Sequence, residues 1–334
     1  MHFISVDGGA TKTISVLYND NFEIESIGIS GPTNFRTVGI VNFRKNIKDA
    51  INQLNSFDVD SMSFALPGIK DTSESLKMIY GELKKLFPNK KIKLYNDGEA
   101  GFHCRFLEEN GIVIAAGTGM VSYGKNKSIS VKSSGWGWFL DDEGGAFYIA
   151  RRALEEVVKI MDGRGKFDST LVDSLRKFFN LKNDKDLINI IYKGRIDIRK
   201  ISSIAPIVSM NALKGDFLSR KIMEESAVQS SKSAWSTYRK LGFPEKISIS
   251  GYGGVFRAGK WYWEMIVNEL KNIIGNAEFI EPYFGYEAIL GSIVLNYREN
   301  GIEIKGSDLE ILRKILNEKI SAYNPDIRKK YLYF

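Results

Sequence analysis

The sequence is poor in cysteine: Cys104 is the only one among 334 residues. A single thiol cannot form a disulfide within the chain, and it cannot supply the several ligands that a cysteine-based metal or iron–sulfur site needs. Disulfide bonds and cysteine-ligated metal or iron–sulfur sites within one chain are therefore excluded. We expect Cys104 to be a small, buried, apolar residue.

Long apolar runs are also missing. The longest, residues 111–116 and 289–295, fall well short of the ~20 residues that a membrane-spanning helix needs. Near the N-terminus, Asp7 and the glycines after it interrupt the apolar stretch too early for a secretory signal peptide. These features predict a cytoplasmic protein that does not associate with membranes.

No block of like charge stands out, although the net charge is +7. The lysines are scattered and mostly lie between acidic residues, as in residues 182–185. This spread is typical of a solvated surface, so we expect no nucleic-acid partner. The excess positive charge would attract anionic nucleotides or acidic substrates without identifying a site.

The chain length and its 43% hydrophobic content suit two globular lobes better than one core. Apolar alternation and helical spacing predict an α/β arrangement. In the first part, the predicted strands are 2–7, 14–18, 61–65 and 92–95, and the predicted helices are 42–54 and 76–87. The second part is predicted to hold strands 111–116, 121–123 and 246–250, a mostly helical stretch over 143–241, helices 261–274 and 286–297, and a final helix with a tail.

Three glycine-rich turns follow predicted strands. Such turns let backbone N–H groups approach phosphate oxygens without a Cβ in the way, and neighbouring Thr or Lys side chains add donors. Any one of them could equally be an ordinary hairpin turn, but three together indicate a polyphosphate ligand. They are Asp7-Gly8-Gly9-Ala10-Thr11-Lys12-Thr13, Gly117-Thr118-Gly119 and Gly251-Tyr252-Gly253-Gly254-Val255.

An aspartate stands where a predicted strand ends and a helix begins, in Leu94-Tyr95-Asn96-Asp97-Gly98-Glu99-Ala100. Asp97 could cap the following helix. It could also accept the proton of an attacking hydroxyl in a phosphoryl transfer.

In their order along the chain, these motifs resemble the two phosphate motifs, the first connecting segment and the adenosine motif of the sugar-kinase, heat-shock-protein-70 and actin superfamily. The segment Gly135-Trp136-Gly137-Trp138-Phe139-Leu140-Asp141-Asp142-Glu143-Gly144-Gly145 looks like the signature of the N-acetylglucosamine kinase and BadF/BadG/BcrA/BcrD-type ATPase family. The resemblance covers roughly residues 1–298. Two positions depart from it, because Asp141 and Ala10 stand where relatives carry glycine.

The resemblance implies a two-lobed α/β fold of the actin-like ATPase (ribonuclease H-like) type, with an active-site cleft between the lobes. We expect an N-terminal lobe of residues 1–110, completed by C-terminal helices in 298–334, and a C-terminal lobe of residues 111–297. We also expect a homodimer.

The resemblance also implies roles for single residues. Asp97 would be the catalytic base, and Asp7 would lie near Mg²⁺, joined to it through water. Mg²⁺ prefers oxygen ligands and keeps several waters, which suits such a site. The ATP-binding residues would be Gly8, Gly9, Thr11, Lys12, Gly117, Thr118, Gly119, Gly253 and Gly254. The substrate-binding residues would be Asn34, Gly68, Asn96, Asp97, Gly135 and Asp142.

Arg36 bears on the choice of sugar. It lies in a loop, residues 31–39, that looks like one in which relatives carry an aromatic residue or histidine after Asn34. A guanidinium can hold a carboxylate through two hydrogen bonds, so Arg36 is a candidate substrate-binding residue. It could equally lie on the surface or pair with a protein acid.

Archaeal relatives include kinases for 2-keto-3-deoxygluconate, glucose and N-acetylglucosamine. We therefore predict an ATP-dependent kinase of an acidic sugar such as 2-keto-3-deoxygluconate. The alternative is an N-acetylglucosamine kinase, glucokinase or hexokinase of the same family.

Two rival functions use related folds. An ATPase of the BadF type, which energises electron transfer, needs cysteines to share an iron–sulfur cluster between subunits, and the single Cys104 disfavours it. A sugar-responsive regulator would need a DNA-binding segment, and no helix-turn-helix pattern precedes the first predicted strand.

Overall fold

The computed structural model describes residues 1–55, 58–69, 72–107, 110–166, 168–193 and 196–332. The chain divides into two compact units. Unit 1 comprises Met1–Asn110 and Tyr283–Phe334, and unit 2 comprises Gly111–Pro282. The last two residues of the predicted C-terminal segment, 333–334, lie outside the described residues.

Unit 1 contains a five-stranded mixed sheet in the order β3-β2-β1-β4-β5. Strand β1 is antiparallel to β2 and parallel to β4, and β4 is parallel to β5. The elements are β1 His2–Gly8, β2 Thr13–Asn19, β3 Ile24–Ser30, α1 Phe35–Ile51, β4 Ser61–Leu66, α2 Ser73–Leu86, β5 Lys91–Asn96, α3 Asp97–Phe106, α11 Ile289–Glu299, α12 Gly306–Ala322 and α13 Pro325–Tyr331.

Side chains alternate across this sheet, as the two-residue period of a strand requires. Ile4 and Val6 of β1 belong to an apolar cluster with Phe43 and Ile47 of α1. On the opposite face, Ser5 bonds to Ser63 of β4 at 2.7 Å. Since Asp7 is two residues beyond Ser5, it shares the face of Ser5.

Helix α11 packs on the Ser5 face through buried polar bonds. Ser63 bonds to Ser292 at 2.9 Å, and Asn296 Nδ2 donates to the Tyr18 hydroxyl at 2.9 Å. These contacts are the reason that α11 belongs to unit 1. The predicted C-terminal lobe, 111–297, was too long at its end, because unit 2 stops at Pro282.

Unit 2 contains a second five-stranded sheet in the order β10-β9-β6-β7-β8. Strand β6 is antiparallel to β7 and parallel to β9. The sheet therefore repeats the topology of unit 1, with β6, β7 and β8 in the places of β1, β2 and β3. The elements are β6 Gly111–Ala116, β7 Met120–Asn126, β8 Ile129–Ser134, α4 Ala146–Met161, α5 Thr170–Phe179, α6 Asp186–Tyr192, α7 Ile198–Ser202, α8 Ala205–Leu213, α9 Phe217–Lys240, β9 Ile247–Tyr252, α10 Lys260–Lys271 and β10 Ala277–Phe279.

Three strands, β3, β8 and β10, have no counterpart in the sequence prediction. Strand β3 carries its apolar residues at irregular spacing, because its pairing with β2 shifts register between Leu17 and Tyr18. Strand β8 is largely exposed, and β10 has only three residues. Irregular spacing in β3, exposure in β8 and shortness in β10 therefore leave each strand with a weak sequence signal.

Within the described ranges, no helix is both long enough and apolar enough to cross a membrane.

Candidate active site

The predicted residues of unit 1 gather at the carboxyl ends of its parallel strands, the usual place for ligands in α/β sheets. The register pairs Asp7 of β1 with Ala65 of β4, and Leu66 of β4 with Asn96 of β5. The carboxyl ends of these strands therefore lie side by side, so the residues that follow the strands are placed at the same edge of the sheet. We call these the unit 1 site residues; they are Asp7, Gly8, Gly9, Thr11, Lys12, Asn34, Arg36, Gly68, Asn96 and Asp97.

The turn between β1 and β2 is closed by a hydrogen bond from the Gly9 N–H to the Lys12 carbonyl, at 2.9 Å. Gly8 has no room for a side chain, since a Cβ there would lie 2.0 Å from Thr33 Oγ1. Gly9 meets nothing closer than the Lys12 carbonyl, at 3.6 Å. The first glycine is therefore required by packing, and the second leaves open space beside the turn.

The loop before α1 is fastened to this turn. The backbone N–H groups of Thr33 and Asn34 donate to the Gly9 carbonyl at 3.0 and 3.2 Å. The Thr13 hydroxyl donates to the Gly31 carbonyl at 2.7 Å, so Thr33 donates in its 2.9 Å bond with Thr13. Sequence reasoning missed Thr13 and Thr33 as positioning residues, because a buried threonine pair has no local sequence signature.

Asn34 and Asn96 both cap helices. Asn34 Oδ1 accepts from the Arg36 N–H at 3.1 Å, and Asn96 Oδ1 accepts from the Gly98 N–H at 2.9 Å. Asn96 is the N-cap of α3, and Asp97, the first residue of the helix, shares the capping role considered for it, because its Oδ1 also accepts from the Gly98 N–H at 3.0 Å.

Asp7 and Asp97 influence each other electrostatically. Burial raises the pKa of Asp7 from 3.8 to about 7, Lys12 opposes the rise, and the negative charge of Asp97 adds to it. Two carboxyl groups and a lysine therefore share this edge of the sheet. A hydroxyl acceptor and a phosphate-binding cation are the groups that a phosphoryl transfer needs close together.

Gly68 and Arg36 lie at the same edge. Gly68 is in the turn after β4 with a φ of +75°, and Arg36 Nη2 donates to its carbonyl at 3.5 Å. The Arg36 side chain is exposed to solvent.

The predicted site residues of unit 2 begin at the turn after β6. The Gly117 N–H donates to the Gly119 carbonyl at 2.9 Å. The first N–H groups of α4, from Ala146 and Phe147, donate to the carbonyls of Gly117 and Thr118 at 2.8 and 3.0 Å. The predicted phosphate turn is thereby held against the start of a helix.

Asp142 lies directly against this turn. A Cβ on Gly119 would meet Asp142 Oδ2 at 2.1 Å, so only glycine fits there. Asp142 Oδ1 accepts from the Gly137 N–H at 3.1 Å. Gly135 is exposed, has a φ of +83°, and its nearest neighbour is the Val121 side chain, 3.2 Å from a Cβ built on it.

Asp141 supports the same loop and is a residue whose role the sequence did not indicate. Its carboxylate accepts from the Ser134 hydroxyl at 2.7 Å and from the Trp136 N–H at 3.3 Å. The aspartate that departs from the family pattern therefore holds the loop in shape.

The turn after β9 lies beside the end of β6. A Cβ on Gly253, whose φ is +129°, would come within 2.2 Å of the Ala116 carbonyl. Gly254 is exposed, begins a 3-10 turn at Gly254–Ala258, and has open space around its Cα. The unit 2 site residues are thus Gly117, Thr118, Gly119, Gly135, Asp142, Gly253 and Gly254.

The oxygen-bearing side chains among the unit 1 site residues suit Mg²⁺. Among the described residues there is no cluster of three or more His, Cys, Asp or Glu side chains that could hold a metal alone. Asp7 nevertheless offers a carboxyl group; burial is the main cause of its raised pKa and the charge of Asp97 adds to the rise, so a cation bound here would favour the ionised form of Asp7. Such a site fits an ion that takes its other ligands from phosphate and water.

Comparisons with known proteins agree with the predicted family and fold. A model of the BadF/BadG/BcrA/BcrD ATPase family matches residues 4–295. An N-acetylmuramic acid/N-acetylglucosamine kinase of Clostridium acetobutylicum is 26% identical over 76% of this chain and 85% of that protein. An N-acetyl-D-glucosamine kinase of Dictyostelium discoideum is 25% identical over 83% of this chain and 92% of that protein.

A crystal structure also shows the same fold. It belongs to a Chromobacterium violaceum protein proposed to be an N-acetylglucosamine kinase, and it matches with a TM-score of 0.69. The sequence identity is 19%, with 88% of this chain and 98% of that chain covered. The α/β, actin-like sugar kinase fold predicted from the sequence is confirmed. The prediction of an ATP-dependent carbohydrate kinase agrees with the names of the two kinase relatives.

Proposed function

Because the chain belongs to the BadF/BadG/BcrA/BcrD ATPase family, we propose that it is an ATP-dependent kinase that phosphorylates a hydroxyl of an N-acetylated amino sugar. The names of the two kinase relatives support this substrate class. The observation that carries the proposal is the position of Asp97, which lies at the strand edge that also holds Asp7 and the Gly8–Thr13 turn.

In this proposal, Asp97 accepts the proton of the attacking sugar hydroxyl. Phosphoryl transfer depends on positioning and on neutralising charge, and the attacking oxygen needs an acceptor for its proton. Asp97 is the first residue of α3, and the Gly98 N–H donates to both Asn96 Oδ1 at 2.9 Å and Asp97 Oδ1 at 3.0 Å, which holds the Asp97 carboxylate at the start of the helix. A positioned base of this kind contributes about 10²- to 10⁴-fold to the rate.

The two phosphate turns hold ATP in this proposal. Gly8, Gly9 and Gly119 would line the phosphates together with Thr11, Lys12 and Thr118, and Gly117, Gly253 and Gly254 would complete the nucleotide site. Glycines approach phosphates closely because they lack a Cβ. Asp7 would hold Mg²⁺ through water. When bound, Mg²⁺ would supply positive charge that offsets the negative charge of the phosphates.

The sugar would be held by Asn34, Gly68, Asn96, Gly135 and Asp142. Side-chain oxygens of both asparagines already accept helix N–H groups, so their amide N–H groups are the donors left for sugar hydroxyls.

The choice of sugar differs from the first expectation. The sequence favoured 2-keto-3-deoxygluconate, whereas the relatives are amino-sugar kinases, which supports the alternative. The activator function remains disfavoured, because Cys104 is buried, its thiol donates to the Gly101 carbonyl at 3.0 Å, and burial raises the pKa of Cys104.

A panel of sugars tests the proposed function. Purified protein would be incubated with ATP, Mg²⁺ and one of N-acetylglucosamine, N-acetylmuramic acid, glucose or 2-keto-3-deoxygluconate, and ADP and the phosphorylated sugar would be measured. We expect ADP release to depend on an N-acetylated sugar. Sugar-independent ADP release would indicate an ATPase, and turnover with 2-keto-3-deoxygluconate alone would restore the first expectation. A homodimer remains a prediction, which light scattering on the same sample tests.

A further inference from the structure

The loop between β8 and α4, residues 135–145, carries Gly135 and Asp142 of the proposed sugar site. Trp138 anchors its middle, because the Trp138 ring centre lies 5.1 Å from that of Phe147 in α4. Three other large apolar side chains of the loop are mostly exposed, at 78, 82 and 75%, and they are Trp136, Phe139 and Leu140. Apolar packing through these three side chains therefore contributes little to the shape of the loop.

The backbone of this segment is strained at two residues that are not glycine. Ser134 has a φ of +67° and Asp142 a φ of +59°, both in the left-handed region that favours glycine. Such conformations persist where the surrounding contacts hold them in place. Polar contacts are therefore needed to keep Gly135 and Asp142 in their positions.

Asp141 supplies polar contacts of this kind. Its Oδ1 accepts from the Ser134 hydroxyl at 2.7 Å, and its Oδ2 accepts from the Trp136 N–H at 3.3 Å. Ser134 and Trp136 are the two neighbours of Gly135, so one carboxylate is bonded on both sides of that glycine. The Asp141 N–H also donates to the Gly137 carbonyl at 2.9 Å.

Asp142 adds the next bond across the loop. Its Oδ1 accepts from the Gly137 N–H at 3.1 Å, and this N–H directly follows the Trp136 N–H that Asp141 holds. Two successive carboxylates therefore hold two successive N–H groups. Loss of the Asp141 carboxylate would weaken the support of Asp142, which we assign to the sugar.

We propose that Asp141 is a positioning residue for sugar binding, because it joins the two neighbours of Gly135 and directly precedes Asp142. This inference rests on the proposed function and adds to it a residue that acts through its neighbours. Without the Asp141 carboxylate, the loop would hold its binding arrangement for only a fraction of the time. The apparent affinity for the sugar would fall in proportion to that fraction.

The test measures kcat and the KM values for N-acetylglucosamine and ATP in the wild type and Asp141→Ala. Loss of two bonds to a charged acceptor, one of them long, should raise the KM for the sugar by roughly tenfold. The KM for ATP should change little, because the turn at residues 117–119 is held by the N–H groups of Ala146 and Phe147. Asp141→Asn keeps one acceptor oxygen, so it should cause a smaller rise.

Ser134→Ala tests one of the two bonds by itself. It should raise the KM for the sugar less than Asp141→Ala does. The variant with both substitutions should match Asp141→Ala, because the two residues act through one hydrogen bond. The control is Asp173→Ala, which removes an acid from an exposed position on α5 of the same unit and should leave both KM values as in the wild type.

Hydrogen exchange gives a readout that needs no sugar. Over residues 134–142, exchange should be faster in Asp141→Ala than in the wild type, because the Trp136 N–H loses its acceptor. The rest of unit 2 should exchange as in the wild type, which would also show that the variant is folded.

The outcomes separate this inference from the proposed function. An equal rise of the KM values for sugar and ATP, with faster exchange throughout unit 2, would show a general structural role and overturn the inference. An unchanged KM for the sugar in Asp141→Ala would overturn it while the proposed function stands. If the wild type phosphorylates no N-acetylated sugar, the proposed function itself is wrong, and the inference with it.

Discussion

Asp7 combines a position that suits metal binding with an environment that disfavours its charge. Burial is the main cause of its raised pKa of about 7, and Asp97 adds to the rise. In the unfolded chain the same group ionises near 3.8. Between these two pH values the folded protein holds the extra proton, so stability falls as the pH rises towards 7. Above pH 7 the full cost of the buried charge is present.

Asp7→Asn should therefore stabilise the metal-free protein at pH 8 by an amount on the order of 2 kcal/mol. The difference from wild type should shrink as the pH falls towards 4, because the wild-type carboxyl is then neutral as well. Thermal unfolding at several pH values without Mg²⁺ or nucleotide measures this. Asp49→Asn, at an exposed position on α1, controls for the loss of one negative charge. A variant that is less stable than wild type at pH 8 would contradict the account of Asp7.

At the scale of elements, the crossing of α3 and α11 positions Asp97. A Cβ on Gly291 of α11 would lie 1.6 Å from the Ala100 carbonyl of α3, so the helices touch backbone to backbone. Asp97 stands one turn before this contact, at the start of α3. The distance between the two helices therefore sets where the proposed base lies.

Gly291→Ala should lower both stability and kcat. In an exposed helix this substitution stabilises by up to about 1 kcal/mol, but here the added methyl must force the helices apart, at a cost of about 1–3 kcal/mol or more. Gly306→Ala is the matched control, since Gly306 begins α12 with open space around its Cα. We expect Gly306→Ala to leave the melting temperature unchanged or higher. If Gly291→Ala did the same, α3 and α11 would not be in the close contact described.

The sequence predicted elements that carry a strong local signal. Strands β1, β4, β5 and β6 were expected from their short apolar or alternating runs, and the three glycine turns from their composition after predicted strands. Properties that depend on distant residues were not predictable in this way. The Thr13–Thr33 bond, the support of the tryptophan-containing loop by Asp141, and the place of α11 in unit 1 all join residues separated along the chain.

At the scale of the whole molecule, unit 1 is built from both ends of the chain. Helix α11 covers the Ser5 face of its sheet, and the Tyr297 hydroxyl donates to the Asn19 carbonyl at 2.6 Å. Unit 2, by contrast, is one continuous segment, Gly111–Pro282.

Truncation after Pro282 should therefore unfold unit 1 and spare unit 2. The lost segment removes the buried polar bonds of Ser292 and Asn296, and their partners in the sheet would be left exposed or unsatisfied. Hydrogen exchange would report this as loss of protection in β1 and β4, with β6 and β9 still protected. Protection of β1 and β4 in the truncated chain would show that the first 110 residues fold by themselves.

The account depends most on Asp97 as the acceptor of the sugar proton, and Asp97→Asn tests it most directly. Sugar-dependent ADP formation and ATP affinity would be measured side by side for the wild type, Asp97→Asn and Glu99→Gln, which removes an acid from the same helical turn. We predict that Asp97→Asn lowers kcat by about 10²- to 10⁴-fold while ATP still binds, and that Glu99→Gln keeps most of the turnover. Turnover by Asp97→Asn within about tenfold of the wild type would contradict the account, since a positioned base contributes more than that.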